Sequence, residues 1–195
     1  FSDDSAVRKR RGSPAAPLYL SRGPRQAHPH PQEFFILTAE IRARRRGVRE
    51  MHREGFFVLP NPWDIGGVRR LETLGFEAIA STSAGLAWSL GRDDLSLTRD
   101  VVLDHLRELC ASTALPVNAD FEAGFAVQPE DVASNVRLAV ETGVAGLSIE
   151  DRDGGRLFPL PLAASRIAAS RRAIDAIDGN TILVGRCESF LLGGS

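Results

Sequence analysis

Acidic, basic and hydroxyl side chains recur in this chain directly after short apolar runs. Asn61 and Asp64 follow Phe56-Phe57-Val58-Leu59, and Ser81-Thr82-Ser83-Ala84-Gly85 follows Ala78-Ile79-Ala80. Asn118, Asp120 and Glu122 come with the run at Pro116-Val117, and Ser148, Glu150, Asp151 and Arg152 with Gly146-Leu147-Ser148-Ile149. Arg186 and Glu188 follow Thr181-Ile182-Leu183-Val184. If these runs are parallel strands of a barrel, all five sets open onto one mouth. Carboxylates brought together there repel one another unless a cation or a proton sits between them. Hard oxygen ligands with no histidine or cysteine nearby favour Mg²⁺ or Mn²⁺ over Zn²⁺. Asp120 and Glu150 are the leading candidate ligands, with Asp94 and Glu122 behind them. Arg186 offers a planar fork that matches a carboxylate or phosphoryl group. The turn at Ser83-Ala84-Gly85 could present backbone N–H groups to an anion. Together these describe a site for a small dianion chelated to a divalent metal, which would act as a Lewis acid.

Each residue also has a plainer reading. Asp64 is equally a helix N-cap. Ser81-Thr82-Ser83 is an ordinary turn sequence. Arg152 could pair with Asp151 or Asp153 on the surface, and Arg186 could be a structural ion-pair partner. Joint placement after successive strands favours the functional reading.

The elements that must position these residues are legible in the periodicity. Leu37, Ile41, Val48 and Met51 fall at helical spacing and predict a leading amphipathic helix. The run Phe56 to Leu59, ended by Pro60, predicts a buried first strand. A helix over 65–74 closes at Gly75, and Thr98 predicts the N-cap of a helix carrying Val102, Leu106, Leu109 and Cys110. Pro129, with Glu130 and Asp131 behind it, opens a helix whose apolar face is Val132, Val136, Ala139 and Val140, with Gly143 as terminator. A further helix runs through Ile167, Ile174 and Ile177. Strands alternating with helices imply a parallel β/α architecture. A dinucleotide-binding fold would need a G-x-G-x-x-G turn after its first strand. Pro60-Asn61-Pro62-Trp63-Asp64 stands there instead, which leaves a (β/α)₈ barrel.

Composition narrows the class. The 195 residues are 43% hydrophobic and 25% charged, with a formal net charge of −1, which gives no argument for nucleic acid or membrane as a partner. The two cysteines, Cys110 and Cys187, lie far apart and define neither a metal motif nor a disulfide framework. No apolar run or leader pattern suggests a membrane span or secretion, so the cytoplasm is the default. Residues 1–33 hold Arg8-Lys9-Arg10-Arg11 and several prolines, and read as a disordered tail ahead of a barrel domain over 34–195. The basic cluster could touch nucleic acid or a membrane surface, although a solvated tail or non-native translation is the simpler reading. The only methionine is Met51, so the start at Phe1 reads as a processed terminus, a fragment or a frame opened early.

From about Val48 onward the chain resembles the isocitrate lyase/phosphoenolpyruvate mutase superfamily. The resemblance rests on five motifs in order. They are Val58-Leu59-Pro60-Asn61-Pro62-Trp63-Asp64; Thr82-Ser83-Ala84-Gly85 with Ser89-Leu90-Gly91-Arg92-Asp93; Val117-Asn118-Ala119-Asp120-Phe121-Glu122; Gly143 to Asp151; and Arg186-Cys187-Glu188-Ser189-Phe190. The mutase-like branch, whose third strand ends in Asn-Ala-Asp-Phe-Glu, is the most similar. The resemblance implies a (β/α)₈ barrel, a homotetramer when complete, binding Mg²⁺ or Mn²⁺ and acting on a small 2-oxo or 2-hydroxy acid through an enolate. By position it implies Asp94, Asp120, Glu122 and Glu150 at the metal. Asp64, Thr82, Ser83, Gly85 and Arg186 are implied at the substrate, with Arg186 and Glu188 as catalytic residues.

Two departures qualify these expectations. The lyases carry a cysteine-containing Lys-Lys-Cys-Gly-His or Lys-Arg-Cys-Gly-His loop after the fourth strand. This chain reads Asp151-Arg152-Asp153-Gly154-Gly155-Arg156 there, which argues against isocitrate or methylisocitrate cleavage and leaves the proton donor unassigned. A carbon–carbon lyase or decarboxylase-like reaction is expected first. Phosphoenolpyruvate/phosphonopyruvate interconversion or an inactive truncated form are the alternatives. The chain also spans about five of eight β/α units, and an open sheet of that kind is expected to be marginally stable, aggregation-prone or partner-dependent.

Overall fold

The computed structural model describes residues 36–193. The 1–33 tail and its basic cluster lie outside the described residues. The element order is α1 (Ala39–Met51), α2 (Ile65–Thr73), β1 (Ile79–Ala80), α3 (Ser83–Ser89), α4 (Arg99–Ser112), β2 (Val117–Asp120), α5 (Pro129–Val140), β3 (Gly146–Glu150), a small hairpin β4 (Arg152–Asp153) and β5 (Arg156–Leu157), α6 (Leu160–Asp178), and β6 (Ile182–Arg186).

β1, β2, β3 and β6 form one parallel sheet in that spatial order. Sequence neighbours are sheet neighbours throughout, with no reversal of strand order, which is barrel topology and not that of a doubly wound sheet. The register pairs Ile79 with Val117, Asn118 with Gly146, and Glu150 with Arg186. β3 is buried along its whole length, as a parallel strand covered on both faces should be. Gly146 is needed in it: a Cβ there would lie 2.6 Å from Asn118 Oδ1 and 3.0 Å from Ile182 Cβ.

Local signals account for the helices. Asp64 Oδ1 accepts the Gly67 N–H at 2.7 Å and starts α2, and Gly75 follows its end at φ 84°. Pro129 stands first in α5 with two acids in its first turn, where they complement the helix dipole. Val132, Val136, Ala139 and Val140 of α5 and Val102, Leu106 and Leu109 of α4 are buried against the sheet. Each such valine or leucine contributes roughly 1.5–3 kcal/mol by leaving water. Thr98 is the residue before α4, but its side chain makes no capping hydrogen bond.

One expected element is different. Phe56 to Leu59 has no regular secondary structure and is not a buried strand, with Phe56 93% and Val58 61% exposed. The Ala80 N–H to Pro60 O bond at 3.0 Å ties its end to β1. Among the described residues no strand lies on its other side, so neither a second ladder nor burial stabilises it.

Beside the N-terminal ends of the strands, the buried Arg45 of α1 donates to Val140 O at 2.8 Å and Val144 O at 3.0 Å, and pairs with Asp178 at 3.1 Å.

Candidate active site

The parallel register carries Asp120, Glu150 and Arg186 to the same end of the sheet. Asp120 ends β2, Glu150 ends β3, and Arg186 ends β6 beside Glu150. Arg186 NH1 lies 3.1 Å from Glu150 and 3.4 Å from Asp120, and its Nε lies 2.6 Å from Glu188. Arg152 Nε donates to the second oxygen of Glu150 at 2.9 Å and stands 3.5 Å from Glu188. Glu150 and Glu188 are nearly inaccessible, whereas the Arg186 side chain remains 38% exposed. The guanidinium is thus anchored from behind and open toward solvent.

The segment after β1 fixes Asp120. Ser83 donates both its N–H and its hydroxyl to Asp120 Oδ2, each at 2.9 Å, and the Asp120 N–H donates to Ser81 Oγ. The Ser83 N–H is therefore committed to a carboxylate of the chain. This segment is not a simple turn. Thr82 caps the short helix α3 by accepting the Gly85 N–H at 3.1 Å. Gly85 makes room for an aromatic ring: a Cβ there would meet Trp63 Cδ1 at 2.3 Å. The Trp63 indole stands edge-on to Trp88, with centroids 5.8 Å apart.

A cavity of about 380 Å³ opens between these groups, lined in part by Thr82, Ser83, Asp94, Asp120, Glu150 and Arg186. Glu122 adjoins it. Its side chain is buried, its Oε1 has no hydrogen-bond partner, and its backbone is left-handed at φ 47°. Burial pushes its carboxyl up to about 7, with further contributions from Asp120, Glu150 and Asp94. Burial also raises Glu150, against the opposing pull of Arg152 and Arg186.

The expected residues therefore divide. Thr82, Ser83, Asp94, Asp120, Glu150 and Arg186 share one cavity, with Glu122 and Glu188 against it. Asp64 is exposed and occupied in capping α2, and neither it nor Gly85 lines the cavity. Arg152 is the residue that sequence reasoning misplaced. It pairs with Glu150 and Glu188 and not with Asp151 or Asp153, because the hairpin β4–β5 folds it back over the sheet end. Gly154-Gly155, the two-residue turn between β4 and β5, was the available signal for that hairpin.

Among the described residues no three acidic, histidine or cysteine side chains are gathered as a metal cluster. The charge balance nevertheless fits a cation. Asp94, Asp120, Glu122, Glu150 and Glu188 face only two guanidiniums, and one buried oxygen of Glu122 lacks a partner. A hard dication suits such a surplus of carboxylate oxygen.

Comparison with known proteins bears on the family and the fold. The phosphoenolpyruvate phosphomutase family model matches residues 48–195. The 2-methylisocitrate lyase of Escherichia coli is 31% identical over 129 residues, covering 62% of this chain and 44% of the lyase. The crystal structure of a putative lyase/mutase from Burkholderia cenocepacia superposes with a TM-score of 0.77 at 42% identity, covering 79% of this chain and 57% of that one. Phosphonopyruvate hydrolase, solved with oxalate and Mg²⁺, superposes with a TM-score of 0.70 over 81% of this chain and 56% of its own. At 20% identity that likeness carries the fold alone. The chain spans about half the length of the curated relatives it matches.

Proposed function

The chain belongs to the phosphoenolpyruvate phosphomutase family, and from that premise we propose that it carries the site of a Mg²⁺-dependent carbon–carbon lyase. The substrate is a small 2-oxo or 2-hydroxy acid, and the reaction passes through an enolate. The observation that supports this most is the solvent-facing Arg186 guanidinium, held by Glu188 behind it and flanked by Asp120 and Glu150. Arg186 takes the substrate carboxylate through its planar fork. Glu188 sets the rotation of that fork from the buried side. Ser83 holds one oxygen of Asp120 and leaves the other, at 3.4 Å from Arg186, only weakly engaged. Asp94, Asp120, Glu122 and Glu150 would hold the cation. Mg²⁺ there would supply Lewis-acid polarisation of the substrate oxygen. The whole enzyme is read as a homo-oligomer.

The test is thermal unfolding of the full chain with Mg²⁺, with oxalate, and with both. Oxalate mimics a planar enolate, and a ligand that binds only the folded state must raise the midpoint. A rise only with both present is expected, and no rise would overturn the proposal. A second reading, binding without turnover, is favoured by one observation: Arg152 and Arg186 already pair with Glu150 and Glu188. A midpoint shift without cleavage of any 2-oxo or 2-hydroxy acid would select it. Asp120→Ala with Glu150→Ala should lower Mg²⁺-dependent turnover about a hundredfold or more.

A further inference from the structure

Helix α6 has two faces of small and apolar residues, and the fold uses one of them. Ala169, Ser170, Ala173 and Ile174 are buried, and the helix packs on α5. Leu160, Ala163, Ala164, Ile167 and Ala168 fall at i, i+3, i+4, i+7 and i+8 and form a second stripe. Together with Gly185 of β6 they line an open groove of about 570 Å³. Among the described residues β6 pairs with β3 alone, and Val184, beside Gly185, is exposed. Alanine and glycine walls leave room for a bulky apolar group to come close.

Directly after β6 the chain makes a turn that projects two such groups. Phe190 is 86% and Leu191 70% exposed. The turn beneath them is pinned. The Glu188 N–H donates to Asp151 Oδ1 at 2.9 Å, the Leu191 N–H donates to Glu188 O at 3.1 Å, and the Glu188 carboxylate is buried against Arg186. Single exposed apolar residues are ordinary, but these two adjoin an apolar groove, because Cys187 lines that groove and leads into the turn. A projection and a recess on one surface complement each other under a twofold axis: the projection of each copy meets the recess of the other. A head-to-tail contact would leave one of each uncovered and propagate.

We propose that two copies of this chain associate about a twofold axis, with Phe190 and Leu191 of each seated in the α6–β6 groove of the other. Glu150 and Arg186 line both this groove and the cavity at the mouth, so a second copy seated here backs one wall of the site. The association stands independently of the reaction assigned to that site. Its test is sedimentation equilibrium of the full 195-residue chain from about 1 to about 200 µM. A contact of this small size should give a reversible monomer–dimer equilibrium with a dissociation constant on the order of 10 µM. Phe190→Asp and Ala168→Arg change exposed positions, so each should keep the far-ultraviolet circular dichroism of the parent. Each should weaken association about thirtyfold or more. Phe56→Asp, exposed beside β1 at the opposite edge of the sheet, should leave it unchanged. A chain that stays monomeric at the highest concentration overturns the proposal, and so does a ladder of species larger than a dimer. A dimer that survives both groove substitutions, or that is lost in Phe56→Asp, overturns it as well.

Discussion

The two ends of one sheet handle buried charge in opposite ways. Beside the N-terminal ends of the strands, Arg45 is completely buried, yet its guanidinium meets one carboxylate and two carbonyls. Its partner Asp178 is held below the usual carboxylate range. Burial opposes this, but hydrogen bonds from the Asn180 backbone and from Arg45 outweigh it. At the C-terminal ends carboxylates outnumber guanidiniums, Glu122 has an oxygen without a partner, and its carboxyl is pushed up to about 7. The first end is electrostatically closed and serves stability. The second carries a surplus of carboxylate, which suits the cation-binding role proposed for it.

Substitutions at each end can break this contrast. Arg45→Met should be the most damaging, because it leaves two buried carbonyls without their donor and Asp178 with the hydrogen bonds from Asn180 in place of an ion pair. A loss of about 4 kcal/mol in urea unfolding is expected, and a loss below about 1 kcal/mol would mean that the closed end is not closed. Glu122→Gln should act in the other direction. The folded-state carboxyl is raised from 4.5 to about 7, so wild type carries no penalty below about pH 4.5 and accumulates one as pH rises through 7. In EDTA the variant should therefore gain stability over wild type across that window, by on the order of 2 kcal/mol at pH 8. Added Mg²⁺ should narrow the gap, and equal stability at pH 5 and pH 8 would count against the charge surplus. Asp64→Ala should be the mildest. Loss of the α2 cap costs about 1 kcal/mol, with no change in the response to Mg²⁺ and oxalate.

How much of this was legible beforehand follows from where the signals lie. α2 and α5 could be bounded because Asp64, Gly75 and Pro129 act within one turn of the residue concerned. The placement of Asp120, Glu150 and Arg186 at strand ends could be read because each follows an apolar run. Three features depend on distant partners and could not be read. Phe56 to Leu59 looks buried by composition, but burial requires a neighbour. α3 is too short to show a helical period. Arg152 has acids on either side in sequence, and only the fold of the β4–β5 hairpin chooses Glu150 and Glu188 over them.

The seat that Gly85 provides for Trp63 has an optical consequence. The chain has two tryptophans, and both belong to one edge-on indole pair. One of them rests on the segment whose Ser83 grips Asp120. Rings this close couple their excited states, so the pair should give a paired near-ultraviolet circular dichroism signal and share its emission. Whatever draws Ser83 away from Asp120 also disturbs the ground beneath Trp63. The protein thus carries an unlabelled reporter of its own mouth, readable in a fluorimeter before any reaction is known.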